Sequence, residues 1–242
     1  MCLLGPLLLA AWWHRRSGAP WKPLLAGALV FFVSQVVLRF PWQIPLAHSV
    51  YRHPRWLIPF LLLSSLTAGL FEETGRWLGY RFLLREPTRR IGTMFGMGHG
   101  GLESILLAGF PLAGLVVTWF LASQGSLPAG PALESVRQKT AGLDFWTAQV
   151  ALLERAGAIA FHVGSALIVL RGWVQQKARW LVGAIGLHFT VNALTALLIY
   201  GLHVRPLTAE LVFVALAVAV LAAGWRLSAG LATPGPAIPE TA

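Results

Sequence analysis

Long apolar stretches separated by short polar segments run through the 242-residue sequence. A helix that crosses a bilayer needs about 20 apolar residues. The pattern predicts six such helices, at residues 23–39, 57–85, 92–122, 146–170, 180–202 and 207–227. A seventh apolar segment, at residues 2–13, is short for a span, and our hypothesis is that it belongs to a helix that starts upstream of Met1 in the natural gene. The pattern therefore predicts an all-α, polytopic transmembrane helix bundle of about seven spans with a truncated first one.

Composition supports the membrane setting. Hydrophobic residues make up 56% of the chain and charged residues 12%, whereas an average soluble domain is about 25% charged. Because no shift in composition divides the chain, we expect a single transmembrane domain at residues 1–227. The Pro-, Gly- and Ala-rich tail at residues 228–242 is expected to be disordered. The single cysteine, Cys2, excludes an intramolecular disulfide and a cysteine-based metal cluster.

The chain carries a net charge of +10, and the distribution of Lys and Arg among its loops predicts the orientation in the membrane. Cytoplasmic loops of membrane proteins carry an excess of Lys and Arg. One set of loops holds eleven basic residues: Arg15, Arg16, Lys22, Arg81, Arg85, Arg89, Arg90, Arg171, Lys177, Arg179 and Arg226. The opposite set holds six: Arg39, Arg52, Arg55, Arg137, Lys139 and Arg205. We therefore expect a multi-pass protein of the cell membrane with its amino terminus outside and its carboxyl terminus cytoplasmic.

No basic run is interleaved with aromatic residues, so we expect the partner of this positive charge to be the lipid bilayer and not nucleic acid.

Several ionisable side chains lie inside the predicted spans, where one charge costs at least about 2.5 kcal/mol. Four helices contribute them: Glu72, Glu73 and Arg76; His99 and Glu103; Glu154, Arg155 and His162; and His188 with Asn192. Pairs four residues apart share one face of a helix, as His99 and Glu103 do. Lipid offers these groups no hydrogen-bond partner, so convergence on one internal cavity is the economical arrangement. The sequence predicts a site buried between four helices.

A carboxylate pair, three imidazoles and an amide suit hydrolysis. A glutamate can act as the general base, histidine can bind a metal or donate to an oxyanion, and asparagine can donate as well. Two other functions stay open: a proton-coupled transporter or permease, and a non-catalytic membrane protein that binds a partner. The transporter is disfavoured because the sequence shows no evident internal repeat. Plain structural readings also exist, since the glycines around His99 permit close helix packing.

Three segments resemble a known superfamily. Glu72-Glu73-Thr74-Gly75-Arg76 resembles the paired-glutamate motif of the CAAX-protease and bacteriocin-processing (CPBP) intramembrane proteases, and His188-Phe189-Thr190-Val191-Asn192 resembles their HxxxN motif. Gly98-His99-Gly100-Gly101-Leu102-Glu103, together with Glu154-Arg155 before His162, is more similar to the YhfC-type branch of intramembrane metalloproteases. The resemblance covers residues 57–200.

This resemblance implies a glutamate-dependent endopeptidase, a hydrolase that cuts a membrane-associated protein or peptide within or near the bilayer. Glu72 would activate a water held by a divalent metal, for which zinc is the expectation, and Glu73 and Arg76 would support it. The remaining roles implied are metal binding or polarisation of the carbonyl by His99 and His188, metal binding by His162, oxyanion stabilisation by Asn192, and support by Glu103, Glu154 and Arg155.

Overall fold

The computed structural model describes residues 2–84, 88–125, 130–141 and 145–231. Helices form all of the regular structure in these ranges, which confirms the predicted all-α class. The helices are α1 Gly5–Ser17, α2 Lys22–Tyr51, α3 Pro54–Phe82, α4 Arg89–Ser123, α5 Pro131–Ala141, α6 Phe145–Gln175, α7 Arg179–Gly201 and α8 Pro206–Leu227.

Six helices, α2, α3, α4, α6, α7 and α8, are long and apolar enough to cross a membrane. They correspond to the six spans that the hydrophobic pattern predicts. The seventh apolar segment forms α1, whose 13 residues reach about 20 Å at 1.5 Å per residue, less than the full hydrocarbon core. The chain is a multi-pass membrane protein, with a short helix added to its six spans.

The first long span extends further than predicted. Helix α2 continues to Tyr51 instead of ending at residue 39, because a π-helical segment, Phe32–Arg39, leads directly into Phe40-Pro41 without a break. Proline lacks an N–H, and the wider π turn keeps the helix continuous where a regular turn would lose a hydrogen bond. Arg39 is therefore a buried residue inside a helix, and its placement in a loop was wrong. Without Arg39, the loops predicted to lie outside hold fewer basic residues, so the difference in basic residues between the two sides of the membrane increases. The orientation itself stays a prediction.

The first half of α4, Arg89–Ser104, is the centre of the bundle. Twelve of its sixteen residues are buried, against α1, α2 and α6. Its glycines allow this contact. A Cβ atom at Gly98 would collide with the carbonyl oxygen of Leu24 in α2, and one at Gly96 would lie 2.6 Å from the Cα atom of Val163 in α6. The glycine run thus serves close packing, as small residues do in membranes, and places His99 between neighbouring helices.

The second half of α4, Phe110–Ser123, has no buried residue, as expected of a segment that contacts lipid. Helix α3 packs on α7, and α6 packs on α8. Beyond α8, Ser228 is buried and its hydroxyl accepts a hydrogen bond of 3.1 Å from Arg89 Nε. The prediction of disorder at residues 228–242 concerns mainly residues 232–242, which lie outside the described residues.

Candidate metal centre

The side chains that the sequence singles out meet between four helices, as predicted. Six of them form one buried cluster: Glu72, Glu73, Arg76, His99, His162 and His188, each at most 4% exposed. Helix α3 contributes the two carboxylates and the guanidinium, whereas α4, α6 and α7 contribute one imidazole each. Glu103, Glu154, Arg155 and Asn192 lie in the wall of an adjoining cavity.

Glu72 lies at the centre of the cluster. Its Oε2 atom is 2.8 Å from His99 Nε2 and 3.8 Å from His162 Nδ1, and its Oε1 atom is 4.0 Å from His188 Nε2. Glu72, His99 and His162 each offer one ligand atom, and these atoms lie within 4.8 Å of one another. Donors about 2.0–2.1 Å from a tetrahedral zinc ion are about 3.3 Å apart. These three atoms are therefore near enough to one another for the group to hold one ion.

Two outer carboxylates orient two of the imidazoles. Glu103 Oε2 lies 2.5 Å from His162 Nε2, and Glu73 Oε1 lies 2.7 Å from His188 Nδ1. An ionised carboxylate only accepts hydrogen bonds, so each imidazole donates to it and keeps a lone pair on the other nitrogen. In both cases that second nitrogen faces Glu72. Metal-binding histidines are characteristically held by such outer carboxylates.

Arg76 and Glu73 form a wholly enclosed ion pair. Arg76 Nη1 donates to Glu73 Oε1, and the other carboxylate oxygen of Glu73 accepts a 2.7 Å hydrogen bond from Ser165 Oγ. Arg76 Nη2 is 3.4 Å from Glu72 Oε2 and 2.5 Å from His162 Nδ1. Because a guanidinium can only donate, this last contact independently assigns the lone pair to His162 Nδ1. Of the two glutamates, Glu72 lines the cavity, whereas Glu73 is fully buried behind it.

Sequence reasoning missed two residues of α2. Gln35 Nε2 donates to Glu72 Oε1, and Gln35 Oε1 accepts a 2.5 Å hydrogen bond from Arg39 Nη1. Arg39 in turn donates to the carbonyl and hydroxyl oxygens of Ser64. The signal was available, since Gln35 and Arg39 are four residues apart on one helix face. Arg39 was missed because it was placed in the loop after the predicted span, and Gln35, although inside that span, was not singled out. Ser165, three residues after His162, was missed as well.

The cavity beside the cluster has a volume of about 370 Å³. It extends from Glu72 past Asn192, one helical turn after His188, to Tyr200 near the end of α7 and Glu210 near the start of α8. Its polar wall is able to hold water. Glu154 pairs with Arg155 in this wall and does not belong to the cluster of six. Asn192 lines the cavity without an assigned hydrogen bond among the described residues.

The charges of the cluster and the cavity fit a divalent cation. Together they contain five carboxylates, Glu72, Glu73, Glu103, Glu154 and Glu210, and three guanidinium groups, Arg39, Arg76 and Arg155. With neutral histidines, two negative charges remain, and a net charge at membrane depth is costly. A divalent ion would cancel them. Two contacts oppose the fit. Arg76 Nη2 occupies His162 Nδ1 and has to leave that nitrogen when a cation binds there, and His99 Nε2, which lies 2.8 Å from Glu72 Oε2, has to give up its hydrogen bond to that carboxylate.

The fold and this site define a polytopic membrane protein with a buried metal-type cluster of histidine and glutamate. The chain belongs to the YhfC intramembrane metalloprotease family, whose model matches residues 1–213. It is 30% identical over 243 residues to the uncharacterized membrane protein YhfC of Bacillus subtilis (strain 168), an alignment that covers 95% of this chain and 92% of that protein. No solved structure matches the chain. The predicted membership of the YhfC branch is thereby confirmed, and the wider relation to CPBP proteases stays a prediction.

Proposed function

We propose that this protein is an intramembrane metal-dependent peptidase, which hydrolyses a peptide bond of a membrane-associated protein or peptide. The observation that supports this most strongly is the arrangement around Glu72. Three imidazoles surround one carboxylate, two of them are oriented by further carboxylates, and all of these groups lie within membrane-spanning helices. Ionisable groups at this depth are retained where they serve a function.

The metal would be held by His99 Nε2, His162 Nδ1 and His188 Nε2, the imidazole nitrogens that face Glu72. An imidazole-rich set of donors with a nearby carboxylate suits zinc. When bound, such an ion polarises the scissile carbonyl and makes water more acidic. Glu103 and Glu73 would keep the rings of His162 and His188 in the required orientation and tautomer.

The residues of the chain would then handle the protons. Glu72 accepts a proton from the attacking water and delivers it to the leaving amine. Gln35, which donates to Glu72 Oε1, fixes the rotamer of this base. The amide of Asn192 in the cavity wall donates to the developing oxyanion. Arg76 compensates the charge of Glu73, so that Glu72 is the carboxylate that faces the substrate.

The polar cavity supplies the route for substrate and water. Its wall joins the cluster to the ends of α7 and α8, at Tyr200 and Glu210. A helix satisfies its own backbone hydrogen bonds, whereas a peptide that is to be cut exposes its backbone. Side chains such as Arg39 and Asn192 provide the polar contacts that an unwound segment requires at membrane depth.

Cleavage in reconstituted membranes tests the proposal. The full chain is placed in proteoliposomes with a pool of single-span peptides, and the products are identified by mass spectrometry. We expect products from the wild type, and a rate lower by about 10² or more for Glu72→Gln, because a general base contributes about 10²–10⁴. Glu134→Gln is the matched control, since Glu134 is exposed on α5.

A chelator should abolish cleavage by the wild type, and zinc should restore it. Full activity of Glu72→Gln would refute the assigned base. A chain that binds zinc stoichiometrically and cuts no peptide in the pool would contradict the peptidase and leave the metal centre intact.

A further inference from the structure

A second cavity, larger than the first, lies between α1, α4, α6 and α8. Its volume is about 700 Å³, and its lining is almost entirely apolar. We call it the apolar groove, and its wall includes Leu9, Trp12, Met97, Ile159, Ala222 and Trp225. The catalytic cluster does not contribute to this groove, so a role for the groove is independent of the proposed function.

The dimensions of the apolar groove match one lipid leaflet. Leu152 and Val163 of α6 both line the groove. They are eleven residues apart, which corresponds to about 16 Å along the helix axis. One leaflet contributes about 15 Å of hydrocarbon. The groove therefore has the length and the apolar lining that a lipid chain requires.

One end of the apolar groove lies at the membrane interface. Trp12 and Trp13 of α1 and Trp225 of α8 line this end, and tryptophan is typical of the interface. Helix α4 begins here with Arg89 and Arg90. The guanidinium of Arg89 lies 4.7 Å from the ring centroid of Trp225. Trp13 Nε1 donates a 3.2 Å hydrogen bond to the carbonyl oxygen of Arg90. Arg89 and Arg90 thus lie beside the tryptophan-lined end of the apolar groove, although neither lines it.

Two polar groups at this end lack partners in the part of the chain that the structure describes. Arg89 Nε donates to Ser228 Oγ, whereas the buried Nε atom of Arg90 has no hydrogen-bond partner. Thr93, one helical turn further along α4, lines the groove, is 3% exposed, and its hydroxyl is also unpartnered. Buried polar groups are normally hydrogen-bonded, so these point to a ligand with oxygen acceptors.

We propose that the apolar groove binds one anionic phospholipid of the surrounding leaflet. An acyl chain lies along the groove, the phosphate accepts from Arg89 and Arg90, and Thr93 donates to an oxygen at the top of the chain. Charge complementarity selects an anionic headgroup, since each arginine near the surface contributes about 1 kcal/mol toward anionic lipid. The bound lipid would fill the space between α1 and the α6–α8 pair and fix the position of α1.

Native mass spectrometry of the full chain tests this site. The purified protein is exposed to equal amounts of phosphatidylglycerol and phosphatidylcholine in detergent, and bound lipids are counted. We expect the wild type to retain phosphatidylglycerol preferentially. Arg89→Gln with Arg90→Gln should reduce that preference about 30-fold, or about fivefold for each arginine. The control is Arg52→Gln with Arg55→Gln, which should leave the preference unchanged, because Arg52, just after α2, and Arg55, in the first turn of α3, are both exposed.

A second pair of variants tests the groove itself. Ala222 and Ala223 are both exposed on α8, but only Ala222 lines the groove. Ala222→Phe should lose the retained lipid, whereas Ala223→Phe should bind as the wild type does. Equal retention of the two lipids by the wild type would overturn the proposal. So would an unchanged preference after loss of both arginines, equal binding by the two phenylalanine variants, or a peptide found in the groove instead of lipid.

Discussion

The polar cavity and the apolar groove lie on two sides of the same helix, α6, and Arg155 lines both. The cavity contains carboxylates, imidazoles and guanidinium groups, most of them held by a specific partner, as His162 is by Glu103. The groove contains almost none. In a bilayer, apolar walls are compatible with the solvent, whereas charged walls require compensation from within the protein. The charged side chains of the cavity therefore require a dense network of partners within the protein. The apolar walls of the groove require none, because lipid chains are able to fill it.

The largest expected difference between the two regions is in metal content. His99→Ala and His188→Ala each remove one imidazole that faces Glu72 and should abolish stoichiometric zinc in the purified protein. Elemental analysis of wild type and variants after exchange into metal-free buffer measures this. His48→Ala is the matched control, because His48 is exposed on α2.

Ala222→Phe, in the groove, should retain zinc at the level of the wild type. If wild type and the His99 and His188 variants held equal amounts of zinc, the cluster would be a structural network of hydrogen bonds and ion pairs.

The next largest effect is on the free energy of unfolding. It distinguishes an ion pair inside the cluster from an ion pair in the cavity wall. Glu73→Leu leaves the fully buried Arg76 without its closest carboxylate, and breaking a buried pair costs about 3–5 kcal/mol. Glu154→Leu removes the partner of Arg155, but the Glu154 side chain is 38% exposed, so we expect less than about 1 kcal/mol. The free energy of unfolding in mixed micelles measures both. Equal losses would show that burial does not distinguish the two pairs.

The hydrophobic pattern was sufficient to predict the class of fold and the six long helices, because length and apolarity alone define a span. It failed at the boundary of α2, where Phe40-Pro41 and Pro45 are typical of a loop and a π segment keeps the helix continuous. That error also hid Arg39. Gln35 lay inside the predicted span but contacts the site only through the three-dimensional packing of α2 on α3.

Helical spacing was sufficient to predict which side chains of one helix share a face, but not which atoms meet across helices. The sequence treated Glu103 and Glu154 alike, as supporting carboxylates. In the structure Glu103 contacts His162 directly, whereas Glu154 pairs with Arg155 in the cavity wall. The difference arises from the approach of α4 to α6 at Gly96, where the glycine lets the two backbones come close. The spacing of residues along one helix does not reveal how closely a second helix approaches it.

A smaller effect sharpens this distinction. Glu103→Gln keeps the shape of the side chain but replaces the charged acceptor for His162 Nε2 with an amide. Loss of an outer partner of a metal-binding histidine typically lowers metal affinity about 10–100-fold. Competition with a zinc indicator measures the affinity. Glu210→Gln is the control, since Glu210 lines the cavity but contacts none of the three histidines. A matching loss in both variants would mean that the total negative charge of the cavity, and not the Glu103 contact, holds the ion.

The smallest expected effect tests whether the two regions act independently. Ala222→Phe fills the apolar groove, which the six clustered residues do not line, so zinc affinity and peptide cleavage should each change less than about twofold, as for sites that act separately. Conversely, His99→Ala should leave the preference for phosphatidylglycerol unchanged. Arg155 is the residue through which the regions could communicate, because it contacts Glu103 at 3.5 Å and lines the groove. A loss of zinc affinity in Ala222→Phe that disappears when Arg155 is also replaced by Gln would contradict independence and identify that route.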